Sequence, residues 1–460
     1  MLFNSNIFIF LFIPILLIVY FFKKNILYRN YVLIIFSFFF YFFAEPFFSI
    51  FIIITLVSDY YIARNLSSLN IKKSKFFILL IGIIYNLSIL FVFKYLEFAL
   101  NLLNIPIVSI LNQTYATKFI ILPLAISFIT FTKISFLVDV YRGNIKCPSS
   151  INNLILYILF FPQLIAGPII RYSDIEKEIN HRSVTLIDFK SGILRFVYGL
   201  AKKVLLADQL SNIIEPAFDT NLLNQNPTSL FWIGAIAFSF QIYLDFSAYS
   251  DMAVGLGKMF GFKIPENFKN PYLSTSIKDF WGNWHITLRR WFVLYVYIPM
   301  MEKIKINNNN NDDYKLKFNH FLMTSFPVLT VFFLSGLWHG ASLNFIFWGL
   351  FHGFCLILEN LLKPFINTTY SLIKNLYVLF IVLNGWILFR ADNLQHAIIY
   401  YQKMYGYSEN LLTTNLLGIF PFYYFIILLL SSFIIWIFEP FFINKNLYKK
   451  IPYLVIIILT

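Results

Sequence analysis

This sequence is short of charge. Only 13% of its 460 residues are Asp, Glu, Lys or Arg, while 59% are hydrophobic and 20% aromatic. Soluble domains carry about 25% charged residues, so a soluble globular enzyme is excluded. Cysteine is scarce as well. The two thiols, Cys147 and Cys355, lie far apart, which leaves neither a disulfide framework nor a cysteine metal motif. Several enzyme signatures are missing. There is no G-x-S-x-G elbow, no G-x-x-x-x-G-K-[ST] loop and no H-E-x-x-H, and the histidines lack metal-ligand spacing. Nucleotide hydrolysis and zinc hydrolysis therefore have no support, and no metal is expected. Strand-like alternation of polar and apolar residues is also absent.

What the chain does have is long apolar runs. Ile7–Phe22, Phe76–Phe93, Phe119–Val138, Leu343–Leu358 and Pro421–Ile437 hold almost no charge. A helix needs roughly 20 apolar residues to cross about 30 Å of hydrocarbon. In lipid, only a helix or a closed barrel satisfies its backbone internally. The reading is an all-α, polytopic membrane protein with roughly ten to twelve transmembrane or re-entrant helices around a buried channel. It is expected to form one transmembrane domain over residues 1–460, in the inner or plasma membrane. The net charge of +14 does not point to nucleic acid. The basic residues sit in short clusters between apolar runs, such as Lys23–Lys24, Lys72–Lys75 and Lys202–Lys203, as the positive-inside bias of cytoplasmic loops requires.

The first run lacks a basic leader and a small-residue cleavage site, so it reads as a retained helix with its N-terminus outside. The stretch from Tyr31 to Leu56 is interrupted at Ala44-Glu45-Pro46. Proline breaks the helical ladder, and the residue before it avoids helical geometry. Two short tilted helices meeting near Glu45–Pro46 are expected. Asn307–Asn311 with Asp312–Asp313 reads as a flexible polar loop. The last residues, Ile451–Thr460, are too short to span, and the expectation is a truncated final helix.

Three stretches carry the polar and aromatic residues on which chemistry could rest. Phe160–Arg171 holds two prolines and a glycine in an apolar setting, so it cannot run as one helix. Irregular backbone at membrane depth is tolerated only inside protein or beside a cavity; the stretch is either a re-entrant element or a kinked helix. In Asp279–Trp291, helical spacing places His285 and Arg289 on one face and makes Trp281 and Trp284 neighbours. An interfacial aromatic belt with snorkelling arginines is the alternative. In Leu334–Asn344, His339 lies inside a long apolar region between Gly336 and Gly340. A histidine at that depth must pair or face a cavity. Its usual pKa near 6.5 suits it to accept a proton. The glycines would let a substrate approach the backbone. A structural histidine between helices is the alternative, and it is the preferred reading for His352.

Together these stretches resemble the membrane-bound O-acyltransferase family, in particular its bacterial branch that O-acetylates alginate and peptidoglycan. The resemblance covers nearly the whole chain. It runs from Phe3-Asn4-Ser5-Asn6 through Ala44-Glu45-Pro46, Phe161–Pro168, Gly199–Lys203 and Gln241–Ser247 to Gly385–Ala391. Leu337-Trp338-His339-Gly340-Ala341-Ser342 resembles the family's main histidine motif, and Trp284-His285-Ile286-Thr287-Leu288 its second one.

The resemblance implies transfer of an acyl group, usually acetyl, from a cytoplasmic thioester to a hydroxyl of a cell-surface polysaccharide, through an extracytoplasmic acyltransferase partner. A coenzyme A head is too charged to cross lipid, whereas an acyl group is small. No cofactor is expected to stay bound; acetyl-CoA or another acyl thioester is the donor substrate. His339 would take the hydroxyl proton as it attacks the thioester carbonyl. His285 would line the same channel, orienting the donor or stabilising the oxyanion. Lys202, Lys203, Arg289 or Arg290 would hold donor phosphates. Gln163, Gln241, Asp245, Trp284, Trp338 and Asn344, all inside or beside the matching motifs, are expected along the channel or donor site.

The chain departs from the family pattern in places. Gly282 and Asn283 stand where the family has two arginines, Val293 and Leu294 follow Trp291–Phe292 where it has Arg-Asp, and Met300–Asn311 replaces a glycine-rich basic loop. These positions are expected to face the donor. D-alanyl transfer to teichoic acid, a lipid-linked sugar transporter or flippase, and an inactive donor-binding scaffold are the competing readings.

Overall fold

The computed structural model of the chain describes residues 1–104, 122–223, 226–306, 313–366, 369–406 and 421–440. Every regular element among the described residues is a helix, as apolar runs that must satisfy their own backbone require. Among the described residues, five helices are long and apolar enough to cross a membrane: Pro46–Ser68, Lys72–Leu102, Thr228–Met259, Leu343–Leu362 and Ser371–Arg390. Three shorter apolar helices, Phe8–Phe22, Ile26–Phe42 and Phe422–Phe438, accompany them. The chain is a multi-pass membrane protein.

The break after Tyr31 falls where the proline demands it. One helix ends at Phe42, and the next begins with Pro46 in its first turn. The second partner is not short, however. It runs 23 residues to Ser68, because nothing after Pro46 interrupts the apolar run. The Asn307–Asn311 loop and residues 451–460 lie outside the described residues, while Asp313 opens the helix Asp313–His339.

The chain divides into two compact units. The first comprises Met1–Val197 with Tyr249–Pro265, the second Tyr198–Ala248 with Glu266–Thr460.

The first unit is held by phenylalanine packing and by a buried ion pair. Phe3, Phe8, Phe12, Phe40 and Phe161 pack in one cluster, mostly edge-on or tilted, with ring centroids 4.9 to 6.4 Å apart. Asp59 accepts from Lys133 at 2.8 Å and from the Asn86 amide at 2.8 Å. All three are buried, so three helices share one charge-neutral knot. A lone charge there would be far more costly than the pair. Phe160–Arg171 is broken as expected. Only Phe161–Leu164 is helical, and the chain from 165 to 171 is irregular and largely buried.

The second unit has an aromatic core of Tyr243, Tyr272, Trp284, Trp348 and Trp386. In it the helix Asp313–His339 packs closely along Leu343–Ile366. A Cβ added at Gly336 would lie 2.3 Å from the Phe345 carbonyl, and one at Gly349 would lie 2.2 Å from the Phe332 carbonyl. Only glycine permits this backbone approach, the usual device for joining helices in a membrane. It fixes the height of His339, three residues after Gly336.

Candidate functional site

The site begins with two short helices, Ile277–Asn283 and Ile286–Phe292. The first is capped at its N-terminus from a distance. Glu359, on the helix Leu343–Ile366, accepts the backbone N–H of Ile277 at 2.6 Å and that of Lys278 at 3.3 Å. These are two of the amides that a helix start leaves without partners.

Between the two helices the chain turns at His285. The continuous helix expected through Trp281–Arg289 is therefore corrected: His285 sits at φ 44°, ψ 53°. This left-handed conformation costs a non-glycine residue about 1–2 kcal/mol and marks positions where function holds the backbone. Asn267 offsets the strain. Its side-chain oxygen takes the Thr287 backbone N–H at 3.2 Å and the Thr287 hydroxyl at 2.8 Å, and stands 3.1 Å from His285 Nδ1.

A cavity of about 360 Å³ opens against these helices. That volume suits a small-molecule site. His285 and Arg289 line it from one side, despite the turn, together with Lys278, Trp281 and Trp284. His339 and Ser335 line it from the helix Asp313–His339, and Val293 and Tyr297 from the segment after Ile286–Phe292. Both imidazoles thus face one space. Trp338 packs against both, with ring centroids 6.0 Å from His285 and 4.8 Å from His339. His285 lies between the spans and is buried. Burial first, and the nearby His339 second, hold its imidazole well below its usual pKa, so it is neutral at pH 7. Its Nε2 and the buried Trp281 Nε1 have no hydrogen-bond partner among the described residues.

Other residues singled out in the sequence have different surroundings. Arg290 is exposed and is not among the cavity's lining residues. The Lys202 ammonium is buried, held by Glu439 at 2.6 Å and Ser247 at 2.8 Å, which leaves it poorly placed to hold a phosphate. Lys203 is partly exposed and bridges Asp208 and Asp245, each at 2.8 Å. Gln241 donates to Ala207 and Ser211. Asn344 is buried and ties the chain to the Ala391 carbonyl at 2.7 Å, the end of the helix Ser371–Arg390. Gln163 belongs to the first unit, where its amide donates to the Tyr157 carbonyl.

The two motif glycines do not make room for a substrate. A Cβ at Gly336 would meet the Phe345 carbonyl, and one at Gly340 the Phe345 ring, both at 2.3 Å. The protein's own Phe345 fills that space. Gly282, in contrast, faces open space, and Val293 puts an apolar group on the cavity wall. His352 is fully buried among Trp281, Trp348 and Trp386.

Three site residues escaped the sequence reading. Glu359 had a usable signal, a carboxylate at the end of an apolar run. Lys278 precedes the aromatic motif but matches no pattern. Asn267 had none, because its part depends on a contact across 18 residues with His285.

Comparison with known proteins bears on what this cavity does. The family model described as MBOAT, membrane-bound O-acyltransferase family, matches residues 139–391. The probable alginate O-acetylase AlgI of Pseudomonas aeruginosa is 36% identical over 413 residues, covering 89% of this chain and 75% of the relative. That of Pseudomonas putida is 37% identical over 412 residues, covering 89% and 81%. The peptidoglycan O-acetyltransferase of Helicobacter pylori is 32% identical over 387 residues, covering 76% and 69%.

Proposed function

The chain belongs to the membrane-bound O-acyltransferase family, and on that premise we propose that it moves an acetyl group from a cytoplasmic acetyl-CoA to hydroxyls of a cell-surface polysaccharide. The observation that carries the reading is the pair of imidazoles, His285 and His339, on one cavity with Arg289 and Lys278. The family model spans parts of both units, so residues 1–460 are read as one transmembrane domain. The acceptor class follows the relatives, whose names point to alginate and peptidoglycan. Hand-over through an extracytoplasmic acyltransferase partner is part of the proposal.

In the reaction His339 takes the proton of the acceptor hydroxyl while its oxygen attacks the thioester carbonyl. The carbonyl becomes a tetrahedral oxyanion. Its collapse expels the thiolate, which takes the proton back from His339 and leaves as free thiol, with the acyl group now on the acceptor oxygen. A positioned base contributes on the order of 10²–10⁴-fold to such a step. Arg289 and Lys278 supply positive charge for the donor's phosphates. His285 works in the same cavity, beside His339. Apolar walls, Val293 among them, keep water from competing for the acyl group.

The test is transfer of radiolabelled acetyl from acetyl-CoA in membrane vesicles with the native envelope present. Wild type and His339→Ala are compared at matched expression. Label transferred by wild type and not by the variant is the expected result. Equal transfer by both overturns the assignment of the base. Transfer by neither favours another acyl donor, a transporter or an inactive scaffold.

A further inference from the structure

The contacts around Asn267 decide which nitrogen of His285 carries its hydrogen. The Thr287 backbone N–H points at one atom of the Asn267 side chain, 3.2 Å away. A backbone N–H can only donate, so that atom is the amide oxygen and not the NH₂ group. The Thr287 hydroxyl lies 2.8 Å from the same oxygen, and His285 Nδ1 lies 3.1 Å from it. An amide oxygen can only accept, so Nδ1 must donate.

A neutral imidazole has one N–H to give. With the hydrogen on Nδ1, Nε2 carries a lone pair. Nε2 is buried and has no hydrogen-bond partner among the described residues, and the ring lines the cavity that His339 also lines. Two aromatic rings flank the imidazole. Phe246 lies edge-on at 4.6 Å and Trp338 at 6.0 Å.

We propose that Asn267 is a positioning residue that locks His285 as its Nδ1–H tautomer, so that this cavity-lining ring keeps a bare, closely covered Nε2 as an acceptor for an O–H or N–H of a substrate that displaces its cover. This rests on the acyltransferase reading for the identity of the substrate, but not for the tautomer. It narrows the role of His285. A neutral ring with a bare Nε2 has no hydrogen to offer an oxyanion. His285 instead orients a hydrogen-bearing group, a hydroxyl of the acceptor or an amide of the donor arm, beside His339. The uncommon backbone at His285 serves this end, because the turn brings Nδ1 to Asn267.

The experiment is nitrogen-15 solid-state NMR of the full chain, labelled at histidine and reconstituted in lipid. The difference between wild type and His285→Phe assigns the ring. The expected lost signals are a protonated Nδ1 and an unprotonated Nε2. Asn267→Leu should convert them towards the Nε2–H form. Asn267→Asp, which keeps an oxygen acceptor, should keep Nδ1 protonated and guards against a Leu variant that fails to fold. A lost pair protonated on Nε2, or one that Asn267→Leu leaves unchanged, overturns the proposal. This readout needs no acetyl transfer, so its failure is separable from that of the acyltransferase reading. A kinetic arm then names the source. His285→Phe should raise KM at least tenfold for the acceptor if a hydroxyl is held, or for the donor if an amide is. No change in either KM overturns the binding role.

Discussion

Replacing Glu439 with Ala removes the carboxylate on which one buried cation depends. Glu439 accepts the Lys202 ammonium at 2.6 Å, the Tyr198 hydroxyl at 3.3 Å, and the Tyr243 hydroxyl. Lys202 and Glu439 are 3% and 4% exposed at their side chains, so water cannot replace the lost partner. Breaking a buried pair from one side costs about 3–5 kcal/mol, whereas replacing both partners with apolar groups is often near neutral. The double variant Lys202→Met/Glu439→Leu should therefore recover most of the stability that Glu439→Ala loses. The residue of the loss reflects two hydroxyls deprived of an acceptor, about 1–3 kcal/mol each at most. The assay is thermal unfolding of the purified chain in detergent, run as a double-mutant cycle. The same samples report acetyl transfer. With Lys202 held on Glu439 and Ser247 and away from any phosphate, the double variant should keep the wild-type KM for the donor. A double variant no more stable than Glu439→Ala refutes the stranded-charge argument. A raised donor KM in the double variant returns Lys202 to the donor site.

Other expectations concern the cavity. Arg289→Ala should raise the apparent donor KM about tenfold, the loss of one charge-assisted contact worth about 1.5 kcal/mol, with kcat less affected in steady-state transfer assays. Lys203→Ala should raise it only if the lysine leaves Asp208 and Asp245 to meet the donor, and an unchanged KM removes Lys203 from the donor site. Glu359→Ala strips two backbone amides of their acceptor and should lower stability by about 1–3 kcal/mol. It should reduce kcat as Trp281 and His285 shift, and Glu359→Gln, which keeps an acceptor oxygen, should recover part of both in melting and transfer assays. Gly349→Leu should separate the helices Asp313–His339 and Leu343–Ile366 and abolish transfer, with reduced folded yield on size-exclusion chromatography.

The sequence by itself determined the class of this protein. Scarce charge and long apolar runs leave only membrane helices or a closed barrel, since the bilayer offers backbone groups no other partner, and the lack of polar–apolar alternation selects helices. It also located the breaks at Ala44-Glu45-Pro46 and Phe160–Arg171, where proline makes a helix impossible whatever surrounds it. Motif wording singled out His285 and His339, and for His339 the long apolar run around it added a physical reason, because an ionisable group at membrane depth is costly. What only the tertiary structure decided were matters of contact between distant residues. Helical spacing predicted one face for His285 and Arg289, but Asn267 and Thr287 hold a turn there that no local pattern signals. Glycines read as room for a substrate are filled by Phe345. Lys202 and Lys203 look alike in sequence, yet one is buried on Glu439 while the other is partly exposed between Asp208 and Asp245. A charge's role depends on what stands within a few ångströms of it, and those neighbours are set by helix packing, not by the order of the chain.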